Sequence, residues 1–225
     1  MNLPGPTDYI DIHTHGSGPV SGVFSLENLM AHEDISPADI QGIAFTSGIH
    51  PWYLNENNQY QLVDIVRKNI EHPSVIAVGE AGIDKLRGPS LELQRKVFEQ
   101  QISIAEEHEI PVVIHSVRAW DELLSEHKKL RPKMPWLIHG FRGKRELALQ
   151  LISKGMFISF WYEFVIRPES ADLIRNLPRE RIFLETDGAD IRISEVYAKV
   201  SSDLGISVDI LKSVLFKNFK KYFNL

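Results

Sequence analysis

The chain has 225 residues, of which 43% are hydrophobic, with no cysteine and a net charge of −5. That is enough apolar material for one large α/β domain over residues 1–225. It excludes disulfides and thiolate metal sites, and it argues against a wide basic groove for duplex nucleic acid.

No apolar stretch approaches the roughly 18 residues of a membrane span. The opening stretch Met1-Asn2-Leu3-Pro4-Gly5-Pro6 has neither a basic region nor an apolar signal segment. A cytoplasmic setting, with no membrane and no obligate protein partner, is the expectation.

The first element is a strand, Tyr9-Ile10-Asp11-Ile12-His13-Thr14-His15. Alternate side chains of a strand share a face, so Asp11, His13 and His15 point one way. Two imidazoles beside a carboxylate suit a divalent transition metal. Gly22 to Leu29 follows as a second strand with no helix between. Ile40 to Gly48 is a third and leads into His50.

Four later apolar runs each stop on a potential ligand. Ser74 to Gly79 meets Glu80, and Ile110 to Ile114 meets His115. Met134 to Ile138 meets His139, and Arg181 to Thr186 meets Asp187. Short aliphatic runs of this kind read as buried parallel strands, whose carboxyl ends gather the functional residues of an α/β fold. A ligand type at successive strand ends, after a strand carrying two histidines, predicts a polynuclear metal site, with two ions.

Amphipathic helices separate these strands. Leu62, Ile65, Val66 and Ile70 share one face. Leu91, Phe98, Ile102 and Ala105 share the next, and Trp120, Leu123 and Leu124 line a third. Leu147, Ala148, Leu151 and Ile152 form another, which Gly155 caps. Met156 to Phe160 is a strand, followed by a short helix with Leu173, Ile174 and Leu177. Two helices close the chain, the second capped by Ser207 with Ile210, Leu211 and Val214 facing inward. The expected fold is a TIM-like (β/α) barrel lacking a helix between its first two strands.

Six segments then match a known pattern in order: Asp11-Ile12-His13-Thr14-His15, Gly48-Ile49-His50-Pro51, Gly79-Glu80-Ala81-Gly82-Ile83-Asp84, Val113-Ile114-His115-Ser116, Ile138-His139-Gly140-Phe141-Arg142-Gly143 and Leu184-Glu185-Thr186-Asp187. From Tyr9 to the terminal Asn218-Phe219 the chain resembles the TatD family of metal-dependent hydrolases. The resemblance implies an amidohydrolase-like barrel with two divalent ions. It places His13, His15, Glu80 and Asp187 on one ion, and Glu80, His115 and His139 on the other. It also implies trimming of single-stranded DNA from the 3′ end.

The chain departs from the pattern after Asp187, where Gly188-Ala189-Asp190 replaces the usual Ser-Pro. The segment after Asp84 is short, and His115-Ser116-Val117-Arg118 carries one residue more than usual.

In the expected chemistry Glu80 bridges two ions roughly 3.5–4 Å apart, and Asp187 accepts the proton of the attacking water. Four imidazoles against two carboxylates favour zinc, manganese or iron over magnesium on ligand softness, with magnesium still usable. His50, Arg118 and Arg142 are expected substrate contacts, with Lys85 and Trp161 behind them. The alternatives are a hydrolase of a small ester, amide or phosphate, and a binding module on a retained barrel.

Overall fold

A computed structural model describes residues 3–225; Met1 and Asn2, which open the N-terminal stretch read above, lie outside it. Its strands are β1 (Tyr9–Thr14), β2 (Val23–Met30), β3 (Ile43–Gly48), β4 (Val75–Asp84), β5 (Val112–Val117), β6 (Trp136–Ile138), β7 (Phe157–Trp161) and β8 (Ile182–Glu185). The eight follow one another in chain order through one sheet. Pairing is parallel from β1 to β2, from β3 through β5 and from β6 through β8. Every expected strand is present, and no helix lies between the first two. Only a 3₁₀ turn at Ala31–Glu33 joins β2 to β3.

The helices are α1 (Gln59–Ile70), α2 (Leu91–Glu107), α3 (Trp120–Leu130), α4 (Arg145–Ser153), α5 (Tyr162–Val165), α6 (Pro168–Arg175), α7 (Ile193–Leu204) and α8 (Val208–Tyr222). No helix among the described residues is long and apolar enough to cross a membrane.

By internal contacts the chain divides into two compact units. Among the described residues, one holds 3–27, 40–44 and 137–225, the other 28–39 and 45–136. In the first, Phe157, Phe183 and Tyr222 pack with ring centroids 5.3 to 5.9 Å apart, and Phe24 meets Phe219 edge-on at 5.1 Å. Tyr197 of α7 fixes β1: its hydroxyl donates to the Ile10 carbonyl at 3.1 Å and accepts from the Ile10 amide at 3.0 Å. Full burial pushes that phenol above its ordinary range.

Ser207 caps α8 as expected, accepting from the Ile210 amide. The inward face is one step away from the expected one. Leu211, Leu215, Phe219 and Tyr222 are buried, whereas Ile210 is 52% exposed and Val214 half-buried. The cap fixes the helix start, and the spacing of the aromatic residues Phe219 and Tyr222 then decides which stripe faces the core.

The second unit packs α2 against β4, with Phe98 meeting Trp136 edge-on at 5.4 Å. Here one strand seam, β4 with β5, is closed by two glycines. A Cβ on Gly82 would stand 1.8 Å from the His115 carbonyl oxygen, and one on Gly79, whose φ is +146°, would stand 2.7 Å from that of Val113. Backbones approach this closely because no side chain intervenes, and Glu80 and His115 sit on this seam.

Candidate metal centre

In the first unit β1 delivers His13, fully buried, and ends just before His15, whose side chain is 31% exposed. The Nε2 atoms of both lie 3.6 Å from Asp187 Oδ1, which follows β8. Their rings are near perpendicular, at 87°, so the two nitrogens converge on the carboxylate without stacking.

Asp187 is held by its own amide, which donates to the His13 carbonyl at 3.1 Å. One residue back, the Thr186 amide and hydroxyl donate to Asp11 at 2.9 and 2.6 Å, and Thr14 donates to the Thr186 hydroxyl at 2.9 Å. Asp11 therefore ties β8 to β1 rather than facing the histidines. Its burial pushes the carboxyl up to about 7, against the lowering effect of the Thr186 donors.

His139, at the end of β6, lies 4.4 Å from His13 between ring centroids, and its Nδ1 is 3.6 Å from Glu185 Oε1. Glu185 is fully buried and accepts from the Gly140 amide at 2.6 Å and from Ser159 at 2.5 Å. A carboxylate behind a ligand histidine fixes the ring and raises its basicity.

In the second unit Glu80, His115 and His50 meet. Glu80 Oε1 lies 2.8 Å from His115 Nδ1 and 3.4 Å from His50 Nε2. The Glu80 amide donates to Asn28 Oδ1, which also accepts from Thr46, each at 2.9 Å, so a buried amide carbonyl pins the backbone at Glu80.

The opposite edge of His115 faces Asp84, with Nε2 3.2 Å from Oδ2. Burial alone would raise the Asp84 carboxyl. Donors from Trp52, the Leu86 amide and His115 outweigh it and hold the group below its usual range. His50 accepts from the Trp52 amide through Nδ1 at 3.1 Å. With Nδ1 accepting, the ring proton stands on Nε2, on the side of Glu80.

Within the first unit His13, His15 and Asp187, and within the second His50, Glu80 and His115, have donor atoms close enough to hold an ion, all within 4.8 Å of one another in each group. Imidazole nitrogens with carboxylate oxygens, on strands that cannot splay apart, are the donor set of a divalent transition metal. Of the expected rim contacts, Arg118 is exposed after β5 with φ +51°, and the Arg142 guanidinium lies 5.5 Å from the Trp161 ring. Lys85 instead pairs with Glu122 at 2.8 Å.

Sequence reasoning passed over Asp84 and Glu185 as working residues. Strand alternation was the available signal, since Asp84 shares a face with Glu80 and Glu185 with Asp187.

Comparison with known proteins places the fold. The structure of YjjV, a TatD homologue of Escherichia coli K12, superposes with a TM-score of 0.82 over 98% of this chain and all of that one, at 22% identity. A TatD family hydrolase of Entamoeba histolytica gives 0.78 over 96% of this chain and 98% of that one, at 19% identity. The fold is thus the (β/α) barrel expected from the strand pattern.

By sequence, the 3′-5′ ssDNA/RNA exonuclease TatD of Erwinia tasmaniensis is 31% identical over 147 residues, 63% of this chain and 56% of that protein. The E. coli K12 metal-dependent hydrolase YcfH is 27% identical over 200 residues, 81% of this chain and 74% of that one. The chain spans only 55 to 58% of the length of several other relatives it matches. The family model described as TatD related DNase matches residues 24–224. With that match running almost from β2 to the end of α8, this chain belongs to the TatD-related DNase family.

Proposed function

We propose that residues 1–225 work as one two-ion phosphodiesterase domain that shortens single-stranded DNA from its 3′ end. The observation that carries this reading is the pair of ligand clusters at strand ends, His13 with His15 and Asp187, and Glu80 with His115. Divalent ions held there would supply an activated water and polarise a phosphoryl oxygen. His139, whose ring Glu185 holds, is the remaining ligand that the resemblance implies.

Asp187 is the proton acceptor. Its side chain is 27% exposed while its backbone is tied to β1, so the carboxylate can reach water and substrate from a fixed base. His50 Nε2, 3.4 Å from Glu80 Oε1, holds that carboxylate in place. Arg118 and Arg142 are the phosphate contacts of the reading. The Erwinia relative, a 3′-5′ ssDNA/RNA exonuclease by name, agrees with it.

The test uses a labelled single strand, the same strand blocked at its 3′ end, and a covalently closed circle. Stepwise shortening of the first alone supports the reading, and equal cutting of the circle sinks it. The short Gly188-Ala189-Asp190 turn and the acidic net charge favour one second reading, a hydrolase of a small ester or phosphate. Cleavage of a small phosphodiester with no shortening of any strand would select it.

Metal content gives an independent check. The resemblance makes Glu80 common to both ions, so replete protein should hold about two ions per chain. Glu80→Ala should lower occupancy of both, measured by elemental analysis after dialysis. Loss of a single ion would refute the bridge.

A further inference from the structure

Trp52 stands out among the exposed aromatic side chains. It is 40% exposed, yet its indole N–H donates to the buried Asp84 at 2.5 Å, and Asp84 in turn contacts His115. Its ring meets His50 edge-on at 4.8 Å and His115 at 5.8 Å between centroids. A large flat apolar surface therefore opens to solvent directly beside the Glu80, His115 and His50 cluster.

Both supporting turns are fixed. The Pro51–Tyr53 turn is capped by His50. The turn after β4 is closed by Asp84 Oδ1, which accepts from the Leu86 and Arg87 amides, and by Gln94, which donates to the carbonyls of Asp84, Arg87 and Pro89. The two turns touch: a Cβ on Gly88 would stand 2.5 Å from the Pro51 carbonyl oxygen.

What covers the ring is informative. The guanidinium of Arg87, an exposed residue, sits 4.4 Å from the Trp52 centroid, and among the described residues Arg87 pairs with no carboxylate. A planar, delocalised cation is stacked there, held only by the ring. Neighbouring Tyr53 differs, because His32 lies flat on it at 3.6 Å and 12°.

We infer that Trp52 is a stacking platform for the planar base of the nucleotide whose phosphate enters the metal centre, with Arg87 moving off the ring to meet that phosphate. A rigid aromatic surface accepts any base, because every base presents a π face, and a guanidinium matches phosphate oxygens. The inference deepens the proposed function and rests on it for the nucleotide as substrate.

The test separates stacking from support. Metal-replete wild type, Trp52→Phe and Trp52→Leu are titrated with thymidine 5′-monophosphate and with 2-deoxyribose 5-phosphate, which lacks the base. The same proteins are assayed on single strands ending in thymidine or in an abasic residue.

Wild type should prefer the base-bearing ligand by about ten-fold or more. A phenyl ring still offers a flat face, so Trp52→Phe should retain most of that preference, and Trp52→Leu should abolish it. If Trp52 serves only to hold Asp84, both variants lose rate and the preference survives in each, which overturns the inference. Equal affinity of wild type for the two ligands overturns it as well. Base-dependent binding with no shortening of any strand would uphold the platform while removing the exonuclease reading.

Discussion

Asp187→Asn is expected to lower kcat by about two to four orders of magnitude, with the thermal midpoint close to that of the parent. The amide keeps the shape of the side chain and an oxygen that can face His13 and His15, but it cannot take a proton from water. Two local features predict a folded variant. The Asp187 amide bond to the His13 carbonyl is made by backbone, and the residue sits at φ +54°, a conformation that Asn adopts more readily than most side chains. The measurement is a single-turnover rate on the labelled strand beside a melting curve and a metal analysis. A variant that retains parental activity would assign the proton to another group.

The second large effect is expected from the smallest change, Gly82→Ala. Its Cβ would meet the carbonyl oxygen of His115 at 1.8 Å and the carbonyl carbon at 2.7 Å, and both partners are backbone in buried, paired strands. No side chain can rotate away, so β5 must shift. Overpacking a core costs about 1–3 kcal/mol when side chains can adjust, and a backbone clash exceeds that range. We expect little folded protein, and in any folded fraction a metal content below parent, because the shift displaces His115 from Glu80. Yield, melting temperature and bound metal read the outcome together. A parental melt with full metal would show that the seam can open without cost.

Much of this was legible in the chain itself. β-Branched and aliphatic runs ending on Glu80, His115, His139 and Asp187 marked the strands, because a strand buried on both faces has few other compositions. The Ser207 cap was legible because it acts within one helical turn. The less legible parts depend on distant partners. Ile210 looked inward by composition, but the stripe that faces the core is chosen by Phe219 and Tyr222 and what they pack against. The four-residue helix α5 is too short to show a periodicity. Glu185 and Asp84 looked like strand residues beside better-known neighbours, and only the partners Ser159, Gly140, Trp52 and His115 reveal their use. Asn28, holding the Glu80 amide across 52 positions of sequence, left no local trace.

The pinning of ligands to strand backbone, through Asn28, Asp11 and Tyr197, bears on how such a chain can change over generations. Surface turns tolerate insertions and deletions best, and the turn from Gly188 to Arg192 follows Asp187. A lineage could therefore rewrite what it digests by editing those turns while inheriting the reaction untouched. By the same logic, a designer could graft longer turns there and screen for new diets without rebuilding the strands beneath.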